Sequence, residues 1–411
     1  MAYNDYDLLI IGGGMVGASL ACALAGLDLH IGLVEAELFT ANNTHPSYDD
    51  RTVALAQGTK RIFQTLGLWE MLESTSTPIQ KIHISERGCP GLAHIDCCDE
   101  GVDALGYVVE ARLIGAALLG KLLSSRGVEV LCPAYLEKIP IEENSARAII
   151  SFNDNRIVEL RARLIVAADG ACSRVRKQLG ITALRWEYEQ QAVIANVTST
   201  IPHCNTAYER FTEEGPVAFL PMSGHRCAVV YTVNNKELPQ VLSLDDSGFS
   251  TLLSGRFGDR LGAFSRIGQR QAYPLFLLKA LEHTHRRIAI IGNAAHTLHP
   301  IAGQGLNLSI RDIAALAEVI ADAWRNNQDI GGTEVLEYYA EWRRWDQIKT
   351  IACTDILTRL FVNPLPPVHI ARTLGLLAFD FFPPIKSLIA RQFMGLDGRL
   401  TKLARGIPLT D

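Results

Sequence analysis

The sequence from Arg287 to Asp312 reads RIAIIGNAAHTLHPIAGQGLNLSIRD. Its apolar, β-branched beginning is typical of a buried strand. The loop after Gly292 carries two more glycines, Gly303 and Gly305, and apolar residues at helical spacing predict a helix from about Asn307. A helix N-terminus behind a glycine-rich loop offers unpaired N–H groups and a partial positive charge, so it suits an anionic or electron-accepting ligand group. The alternative is an ordinary tight turn between strand and helix.

A second glycine-rich stretch lies at the N-terminus. A buried-strand pattern at residues 7–11 leads directly into it, and a small-residue helix (18–26) and a second strand (31–34) follow. The glycines that fit G-x-G-x-x-G are Gly12, Gly14 and Gly17. Glu35 closes the second strand, near the distance at which an acid accepts hydrogen bonds from an adenosine ribose. Because strand, glycines, helix, strand and acid occur in this order, the pattern predicts a dinucleotide site.

The uncharged segment at residues 8–27 has a competing interpretation as a signal peptide or a membrane span. No Lys or Arg precedes Arg51, so the positively charged region typical of a signal peptide is missing. The clustered glycines also suit a phosphate loop better than a spanning helix. We therefore expect a phosphate loop here.

The composition is that of a globular enzyme. Of the 411 residues, 48% are hydrophobic and 20% are charged, and the length is enough for two or three structural units. The net charge of −5 and the lack of a basic run argue against a nucleic-acid partner. Nine scattered cysteines without a C-x-x-C indicate free thiols in a reducing cytoplasm. His296 and His299 are three residues apart without a suitable third ligand, so we predict no metal site.

The middle of the chain is rich in strand patterns. Loosely alternating residues at 79–109 predict strands of a second sheet, and 128–131 is another short strand. A hairpin pattern at 149–167 leads into the turn Asp169-Gly170, a third strand-to-turn passage, although Asp-Gly is also a common turn dipeptide. Regularly spaced strands between residues 192 and 233 predict an antiparallel sheet inserted into the nucleotide-binding unit.

The last third carries a long helical pattern at residues 335–360 and then an apolar tail at 360–394. The tail is rich in Leu, Phe, Ile and Pro, and its prolines exclude one continuous helix while allowing short amphipathic helices. Such helices would lie either on anionic lipid or in the protein core or a subunit interface. The cations that would face the lipid are Arg372, Lys386 and Arg391.

Three separated elements carry a resemblance to a known family. They are the N-terminal glycine motif, Asp169-Gly170 with Ser173 and Arg176, and the stretch from Gly292 to Pro300. Together they resemble class A flavoprotein aromatic hydroxylases, the family of para-hydroxybenzoate hydroxylase, over nearly the whole chain. Other stretches resemble its ubiquinone-biosynthesis branch, which hydroxylates phenols of the 2-polyprenyl-6-methoxyphenol type. Those stretches are RTVALA (51–56), EQQAVIAN (189–196), ERFT (209–212), LPMS (220–223), HPIAGQGLN (299–307) and Y-x-x-x-R-x-x-D (339–346).

The resemblance implies a mixed α/β fold with a Rossmann-like FAD-binding domain, an inserted antiparallel-sheet substrate domain and a helical C-terminal tail. The FAD-binding domain is predicted to comprise residues 1–77, 104–180 and 272–345. The substrate domain is predicted at 78–103 and 181–271, and the helical C-terminal region at 346–411.

The resemblance also implies the cofactor contacts. The three motif glycines would hold the FAD pyrophosphate, and Glu35 would hold the adenosine ribose. Asp169 and Gly170 belong to the motif that serves both FAD and the pyridine nucleotide. Asn293 stands where the family usually has an Asp at the flavin ribityl chain, so it accepts a hydrogen bond but brings no charge. The backbones that would meet the pyrimidine edge of the isoalloxazine belong to Gly305, Leu306 and Asn307, in the loop that also contains Gly303.

Two further predicted cofactor contacts are arginines. Arg51 follows a polar loop at 42–50 and precedes a predicted helix at 53–66. It is either a solvated loop charge or a contact to a phosphate or to the flavin. Arg112 stands at a position where the family often has a polar residue in contact with the flavin.

The implied chemistry belongs to the cofactor, and the protein orients the ring and excludes water. NAD(P)H reduces FAD, O₂ adds to give a C4a-hydroperoxide, and the distal oxygen is transferred to an electron-rich phenol. Pro300 matches the family proline at the reacting face. Tyr273 and His299 are candidates for a base that activates the phenol, and the alternative for each is a structural role.

Other functions of this fold stay open. They are hydroxylation at another ring position, a flavin-dependent polyprenyl reductase, and a flavin-free protein that binds prenylated proteins. A halogenase has no support, because no W-x-W-x-I-P segment surrounds Trp186. The expected partners are the polyprenylated phenol, O₂, and a membrane surface or other proteins of ubiquinone biosynthesis. We expect a cytoplasmic protein, peripheral on the inner face of the cytoplasmic membrane.

Overall fold

The computed structural model describes residues 4–38, 51–89, 91–140, 145–363 and 365–410. Within these ranges the strands are β1 (Asn4–Ile11), β2 (Ile31–Val34), β3 (Thr52–Ala56), β4 (Thr77–Ile79), β5 (Lys81–Glu86), β6 (Leu92–Asp96), β7 (Gly106–Glu110), β8 (Val128–Leu131), β9 (Ala134–Lys138), β10 (Ala146–Phe152), β11 (Ile157–Ala167), β12 (Ala183–Ser199), β13 (Thr206–Thr212), β14 (Gly215–Pro221), β15 (Arg226–Asn234), β16 (Phe264–Ile267), β17 (Gln271–Ala280), β18 (Thr284–His285), β19 (Ile288–Ile290) and β20 (His296–Thr297). The α-helices are α1 (Met15–Leu24), α2 (Gln57–Thr65), α3 (Trp69–Leu72), α4 (Ala111–Ser124), α5 (Arg174–Gln178), α6 (Leu238–Ser243), α7 (Asp246–Phe257), α8 (Gln304–Arg325), α9 (Thr333–Val362), α10 (Pro366–Phe381) and α11 (Pro383–Met394). The polar loop predicted at 42–50 lies outside the described residues.

The first sheet has the strand order β18-β19-β11-β1-β2-β8, and β9 and β10 extend it as antiparallel strands beside β11. Alternate residues of the central strand β1 enter two different cores. Leu8 and Ile10 pack with α1 and α8, whereas Leu9 and Ile11 pack on the opposite face with the β10–β11 hairpin. Where both faces are covered, as at β2 and β19, every residue of the strand is buried and the sequence is a continuous apolar run, whereas β10 and β11 alternate along part of their length.

Four turns of this sheet gather at one edge. The strands β1, β2, β11 and β19 run parallel to one another. Their carboxyl ends lead to the glycine motif at Gly12, to Glu35, to Asp169 and to Gly292, respectively. Ligands of open α/β sheets bind outside the carboxyl ends of the strands. The topology therefore brings together three stretches of sequence that are far apart along the chain.

The second sheet has nine strands, in the order β20-β17-β12-β15-β14-β13-β5-β6 with β16 beside β12. Its longest strand, β12, pairs antiparallel with β17 on one side and with β15 on the other. The helix α7 covers one face through Phe249, Leu253 and Phe257. Residues of the opposite face line a cavity together with the turns of the first sheet. The predicted fold class, a Rossmann-like unit with an inserted antiparallel sheet and a helical tail, is confirmed.

Some predicted boundaries differ from the structure. The helix predicted at 53–66 begins only at Gln57, because residues 52–56 pair with β7 in a third, three-stranded sheet. Residues 272–280, predicted in the FAD-binding domain, belong to β17 and pair with β12 of the second sheet. The predicted start of the C-terminal region at residue 346 falls inside the continuous helix α9.

A buried ionic network fastens α8 to α9. Asp312 on α8 has no exposed surface and accepts three hydrogen bonds. The donors are His296 Nε2 at 2.8 Å, Arg343 Nε at 2.6 Å and Gln347 Nε2 at 3.0 Å. Burial alone would raise the pKa of Asp312, but Arg343 and His296 hold it well below its usual range. The carboxylate is therefore charged and ties the turn before α8 to the long helix.

A second carboxylate extends the network to the tail. Asp346 pairs with Arg343, and it also accepts a hydrogen bond from Arg311 Nε at 2.9 Å. The amide of Gln392 on α11 donates to Asp346 at 3.1 Å. Through these contacts α8, α9 and α11 hold one another in place.

One of the three cations that were predicted to face lipid from the tail helices α10 and α11 is buried. Arg372, predicted to face lipid, is buried and pairs with Glu86 of β5 at 2.5 Å. Its guanidinium also donates to the carbonyls of Leu360 and Asn363 at the end of α9. The prediction is wrong for this residue, because the helix end and Glu86 supply the acceptors that lipid headgroups would have supplied.

Among the helices that the structure describes, none is by itself both long and apolar enough to cross a membrane. One pair, Ala371–Phe381 and Pro383–Met394, has the required length and composition together, and it is bent by 95°.

Candidate active site

A cavity of about 790 Å³ lies between the carboxyl edge of the first sheet and the second sheet. It extends from the turns of the first sheet to the helices of the tail. Of the predicted site residues, those on its wall are Gly14, Arg51, Gly170, Asn293, Pro300, Gly303, Gly305, Leu306 and Asn307. Nine of the predicted positions thus border one cavity.

The glycine motif forms a tight turn before α1. Gly12 has φ +105°, and a Cβ there would lie 2.5 Å from the carbonyl oxygen of Ala168. A Cβ at Gly17 would lie 1.8 Å from the oxygen of Gly12, so neither position has room for a side chain. Gly14 is the residue before the first helical residue and borders the cavity. The N-terminus of α1 therefore faces a space that fits a pyrophosphate.

Glu35 lies beside this turn at the end of β2. Its carboxylate accepts hydrogen bonds from the backbone N–H of Gly13 at 2.5 Å and of Glu37 at 2.9 Å. The side chain is 7% exposed. The acid is thus held at the position that follows the second strand of a dinucleotide-binding unit.

The turn after β11 carries an oxygen without a partner. Asp169 Oδ2 accepts a hydrogen bond from the N–H of Val175 at 3.1 Å, whereas the buried Oδ1 has no partner among the described residues. Arg176 donates to the carbonyl oxygens of Ala294 at 2.6 Å and Ala171 at 2.7 Å, which joins this turn to the one after β19. A buried carboxylate oxygen normally has a partner. This vacant acceptor beside the glycine turn fits a bound cofactor.

The loop before α8 is built for close approach of a ligand. Ala302 and Gly303 both adopt left-handed conformations, with φ +55° and +59°, and α8 begins at Gln304, three residues earlier than predicted. The first four N–H groups of a helix have no intrahelical partner. A Cβ at Gly305 would meet no atom within 4 Å, so this glycine faces open space.

Asn307 holds the loop with its side chain. Its Oδ1 accepts from the N–H of Ala56 and the hydroxyl of Thr59, both at 2.8 Å. Its Nδ2 donates to the carbonyls of Ala54 and Gly303, also at 2.8 Å. All four bonding positions of the amide are filled. The side chain therefore positions the loop, and only the backbone of Asn307 is available to a ligand.

Seven of the predicted residues do not border the cavity: Gly12, Gly17, Glu35 and Asp169 in the turns described above, and Arg112, Tyr273 and His299. Arg112 pairs with Glu110 at the surface, and its side chain is 44% exposed. The hydroxyl of Tyr273 donates to Gln271 at 2.5 Å, and its ring lies under the guanidinium of Arg51 at 4.6 Å. The structure therefore does not bring these two side chains to the cavity wall, since each is engaged elsewhere.

His299 is another predicted residue that does not border the cavity. It is 1% exposed, its Nδ1 accepts from the N–H of Ile301 at 3.3 Å, and its ring meets the ring of Tyr188 edge-on at 5.3 Å. Burial lowers the pKa of His299 to about 4, so the imidazole is neutral at physiological pH. It shapes the loop before Pro300 and is not on the wall itself.

The far part of the cavity is apolar and was not predicted. It is formed by the end of α9 and by the inner sides of α10 and α11, through Leu357, Leu360, Phe361, Leu376, Phe379, Ile389 and Phe393. Phe361 stacks on Phe211 of the second sheet with ring centroids 3.5 Å apart. The apolar composition of the tail was visible in the sequence, but which side of each helix faces inward depends on tertiary packing.

One charged residue on the wall was also missed. Glu209 of β13 borders the cavity, on the face of the second sheet that also presents Ala207 and Phe211. The signal available in the sequence was the alternation within β13, which places residues 207, 209 and 211 on one face.

Comparison with known proteins agrees with this architecture. Residues 5–348 match the model of the FAD binding domain family. The chain is 38% identical over 410 residues to the ubiquinone hydroxylase UbiL of Rhodospirillum rubrum, covering 98% of this chain and 93% of the relative. It is 30% identical over 430 residues to the mitochondrial ubiquinone biosynthesis monooxygenase COQ6 of Xenopus tropicalis, covering 93% and 92%. The crystal structure of p-nitrophenol 4-monooxygenase PnpA from Pseudomonas putida superposes with a TM-score of 0.79 at 19% identity, covering 97% of this chain and all of the other.

Proposed function

Because the chain belongs to the FAD binding domain family and is an FAD-dependent aromatic monooxygenase, we propose that it hydroxylates the ring of a polyprenylated phenol in ubiquinone biosynthesis. The substrate class is of the 2-polyprenyl-6-methoxyphenol type, and NAD(P)H is the proposed electron donor. Relatives named as a ubiquinone hydroxylase and as a ubiquinone biosynthesis monooxygenase align over more than nine-tenths of the chain, which supports the pathway.

The observation that carries the proposal is the apolar continuation of the cavity. A substrate of this class has a polar aromatic head and a long hydrocarbon chain. The polar loops of the first sheet suit the cofactor and the head, and the aromatic and aliphatic wall formed by α9, α10 and α11 suits the chain. Each methylene removed from water on this wall contributes about 0.8 kcal/mol. Small-molecule pockets usually measure ~300–1,000 Å³, so the cavity has an appropriate size.

The chain supplies the residues that hold FAD. The turn at Gly12, Gly14 and Gly17 fits the pyrophosphate at the N-terminus of α1. Glu35 follows β2 at the place of the ribose acceptor, and Asp169 offers its unpartnered Oδ1. When bound, FAD supplies the electrons and the activated oxygen for ring hydroxylation.

The residues of the protein then position the ring and exclude water. The N-terminus of α8 favours negative charge on a ring beside Gly305. Pro300 and Leu306 border the same part of the cavity, where they limit how the substrate ring approaches. The apolar wall keeps bulk water from the reacting atoms, which protects activated oxygen from wasteful discharge.

A lipid surface is the proposed source of the substrate. The corner where α10 meets α11, which we call the elbow, exposes five large apolar side chains: Leu374, Phe381, Phe382, Ile385 and Leu388. Phe381 is 78% exposed. The inner sides of the same two helices border the cavity, so a hydrocarbon chain would have a short path from a bilayer to the site. We accordingly propose a peripheral location on the inner face of the cytoplasmic membrane.

The test uses the purified full-length protein with FAD, a short-chain substrate probe, 2-geranyl-6-methoxyphenol, and NADH or NADPH. We expect oxygen consumption and a product that has gained one oxygen atom on the ring, located by NMR. A product that gains two hydrogens on the prenyl chain without oxygen consumption would identify a reductase. A colourless protein that cannot be loaded with FAD would identify a flavin-free binding protein, and either result refutes the proposal.

A further inference from the structure

The strand β13 presents one carboxyl group to the interior of the cavity. It lies between β5 and β14, and Glu209 is opposite Ile84 on one side and Ala218 on the other. The residues two positions away on the same face, Ala207 and Phe211, are apolar, and all of these positions border the cavity. Glu209 is therefore an isolated carboxyl group on a hydrophobic wall.

No other group satisfies this carboxyl. Among the described residues, Glu209 has no hydrogen-bond or ion-pair partner. The other ionisable side chains on the cavity wall are Arg51, Tyr208, Cys353 and Arg372. Arg372 is engaged with Glu86 and with the end of α9, and the guanidinium of Arg51 lies over the ring of Tyr273. Glu209 is partly exposed, and it borders the cavity.

An unpartnered carboxylate on an apolar wall lowers the stability of the protein unless a bound ligand donates a hydrogen bond to it. A buried carboxylate without a partner loses its hydration and gains nothing in exchange. Burial raises the pKa of Glu209 to about 7, and no neighbouring charge contributes to this rise. Isolated acids with pKa values near neutrality are typical of sites where a proton moves.

We propose that Glu209 recognises the phenol hydroxyl of the substrate and accepts its proton. The O–H bond of the phenol breaks, the proton forms a bond to a carboxylate oxygen of Glu209, and the electron pair stays on the phenolate oxygen. When the ring later regains its aromaticity, the C–H bond of the substituted carbon breaks and its proton goes to water, while the carboxylic acid returns its proton to the ring oxygen. This inference rests on the proposed function, and it adds a candidate base on the cavity wall to Tyr273 and His299, which do not border the cavity.

The electrostatics of the wall suit this role. An ordinary phenol has a pKa of about 10, far above that of an ordinary carboxyl group. Burial of Glu209 narrows this difference, so that proton transfer to it is less unfavourable than to a solvated glutamate. A phenolate ring is also more electron-rich than a phenol, and it is the better acceptor of an electrophilic oxygen atom.

The test compares the wild-type protein with Glu209→Gln, which keeps the size and polarity of the side chain but cannot accept the proton. The control is Glu213→Gln, an exposed glutamate in the turn after β13. The FAD-loaded proteins are titrated with 2-geranyl-6-methoxyphenol without oxygen at several pH values, and ultraviolet difference spectra report binding of the phenol. Flavin content and melting temperature show whether each variant is folded.

We expect the affinity of the wild type and of the Glu213 variant for the phenol to rise as the pH rises through about 7, because ionised Glu209 accepts a hydrogen bond from the phenol hydroxyl. Glu209→Gln should bind the phenol without this pH dependence, and its hydroxylation should be about a hundredfold slower or more. A folded Glu209 variant that keeps the wild-type pH dependence of binding or the wild-type rate of hydroxylation, or a wild type whose affinity does not change with pH, overturns the assignment. If binding behaves as expected but the wild type forms no hydroxylated product, the proposed function fails and Glu209 stands as the group that binds the phenol hydroxyl.

Discussion

Replacing Asp312 with asparagine removes one negative charge from the buried network between α8 and α9. The substitution keeps the shape of the side chain, so the packing around it is unchanged. Asparagine also presents an NH₂ group in place of one oxygen. Because the surrounding groups His296, Arg343 and Gln347 all donate to Asp312, this NH₂ group would face a donor.

The expected loss of stability in Asp312→Asn follows from the burial of this carboxylate and from the number of its contacts. Removing one partner of a buried ion pair costs ~3–5 kcal/mol, since the other charge is left without compensation. Arg343 keeps Asp346, which places the expected loss near the lower end, at about 3 kcal/mol. The pKa of Asp312 is depressed in the folded state, so its contribution is full above its unfolded pKa and is lost as the pH falls through the folded one. The difference from the wild type should therefore be constant around neutrality and shrink only in strong acid.

The assay is chemical denaturation at neutral pH, followed by far-ultraviolet circular dichroism. The matched control is Asp322→Asn on the same helix, where the carboxylate is 46% exposed and pairs with Lys402 at 2.7 Å. An exposed pair of this kind contributes under about 1 kcal/mol. If Asp312→Asn were no more destabilising than Asp322→Asn, the network would not be holding α8 against α9, and our reasoning about it would be wrong.

Four further predictions concern the cofactor, the cavity and the elbow. Acid precipitation of the yellow protein should release all of the flavin into the supernatant, because we identify no His or Cys in a flavin-attachment context; flavin in the pellet would contradict this. Gly305→Val should lower FAD content without changing the melting temperature of the flavin-free protein, since its Cβ enters open space, whereas Gly255→Val, at an exposed glycine that is equally open, should keep full FAD content. Glu209→Gln should melt at a higher temperature than the wild type at about pH 9 and at nearly the same temperature at about pH 5. A carboxyl group whose pKa rises from 4.5 to about 7 on folding lowers the free energy of unfolding by up to about 3 kcal/mol when it ionises. A difference in melting temperature that does not change with pH would show that ionisation of Glu209 is not the cause. Phe381→Ser should weaken co-sedimentation with phosphatidylglycerol vesicles, whereas Leu123→Ser, at a 74% exposed leucine on α4, should not; equal binding would remove the elbow from the lipid interface.

The parallel sheet and its turns could be predicted from local sequence. The strands at 31–34 and 128–131 have the predicted bounds, because each is a short, mostly apolar run with clear ends. The glycines at positions 12, 14 and 17 predicted the phosphate turn. At Gly12 and Gly17 the neighbouring backbone is so close that no side chain fits. These features depend on residues next to one another in the chain, so the sequence contains their whole cause.

The arrangement of the cavity depends on residues far apart in the chain. The segment at 52–56 is a strand because β7, more than fifty residues later, pairs with it. Arg372 is buried because its partner Glu86 lies on β5, in a sheet formed mostly by other parts of the chain. Tyr273 and His299 were candidate bases with a structural role as the alternative, and their contacts with Gln271 and with Ile301 and Tyr188 depend on the tertiary packing around them.

The buried charges of this protein divide into two kinds. Asp312 and Arg372 are each satisfied by several partners, and their pairs join helices and strands that carry the cavity wall. Glu209 is less buried than either and borders the cavity, but among the described residues it has no hydrogen-bond or ion-pair partner, so it cannot be explained by the stability of the fold. A charge that lowers stability in the empty site gains its compensation when a donor enters that site. On this argument the unpartnered carboxylate, rather than the paired ones, indicates where the hydroxyl group of the substrate binds.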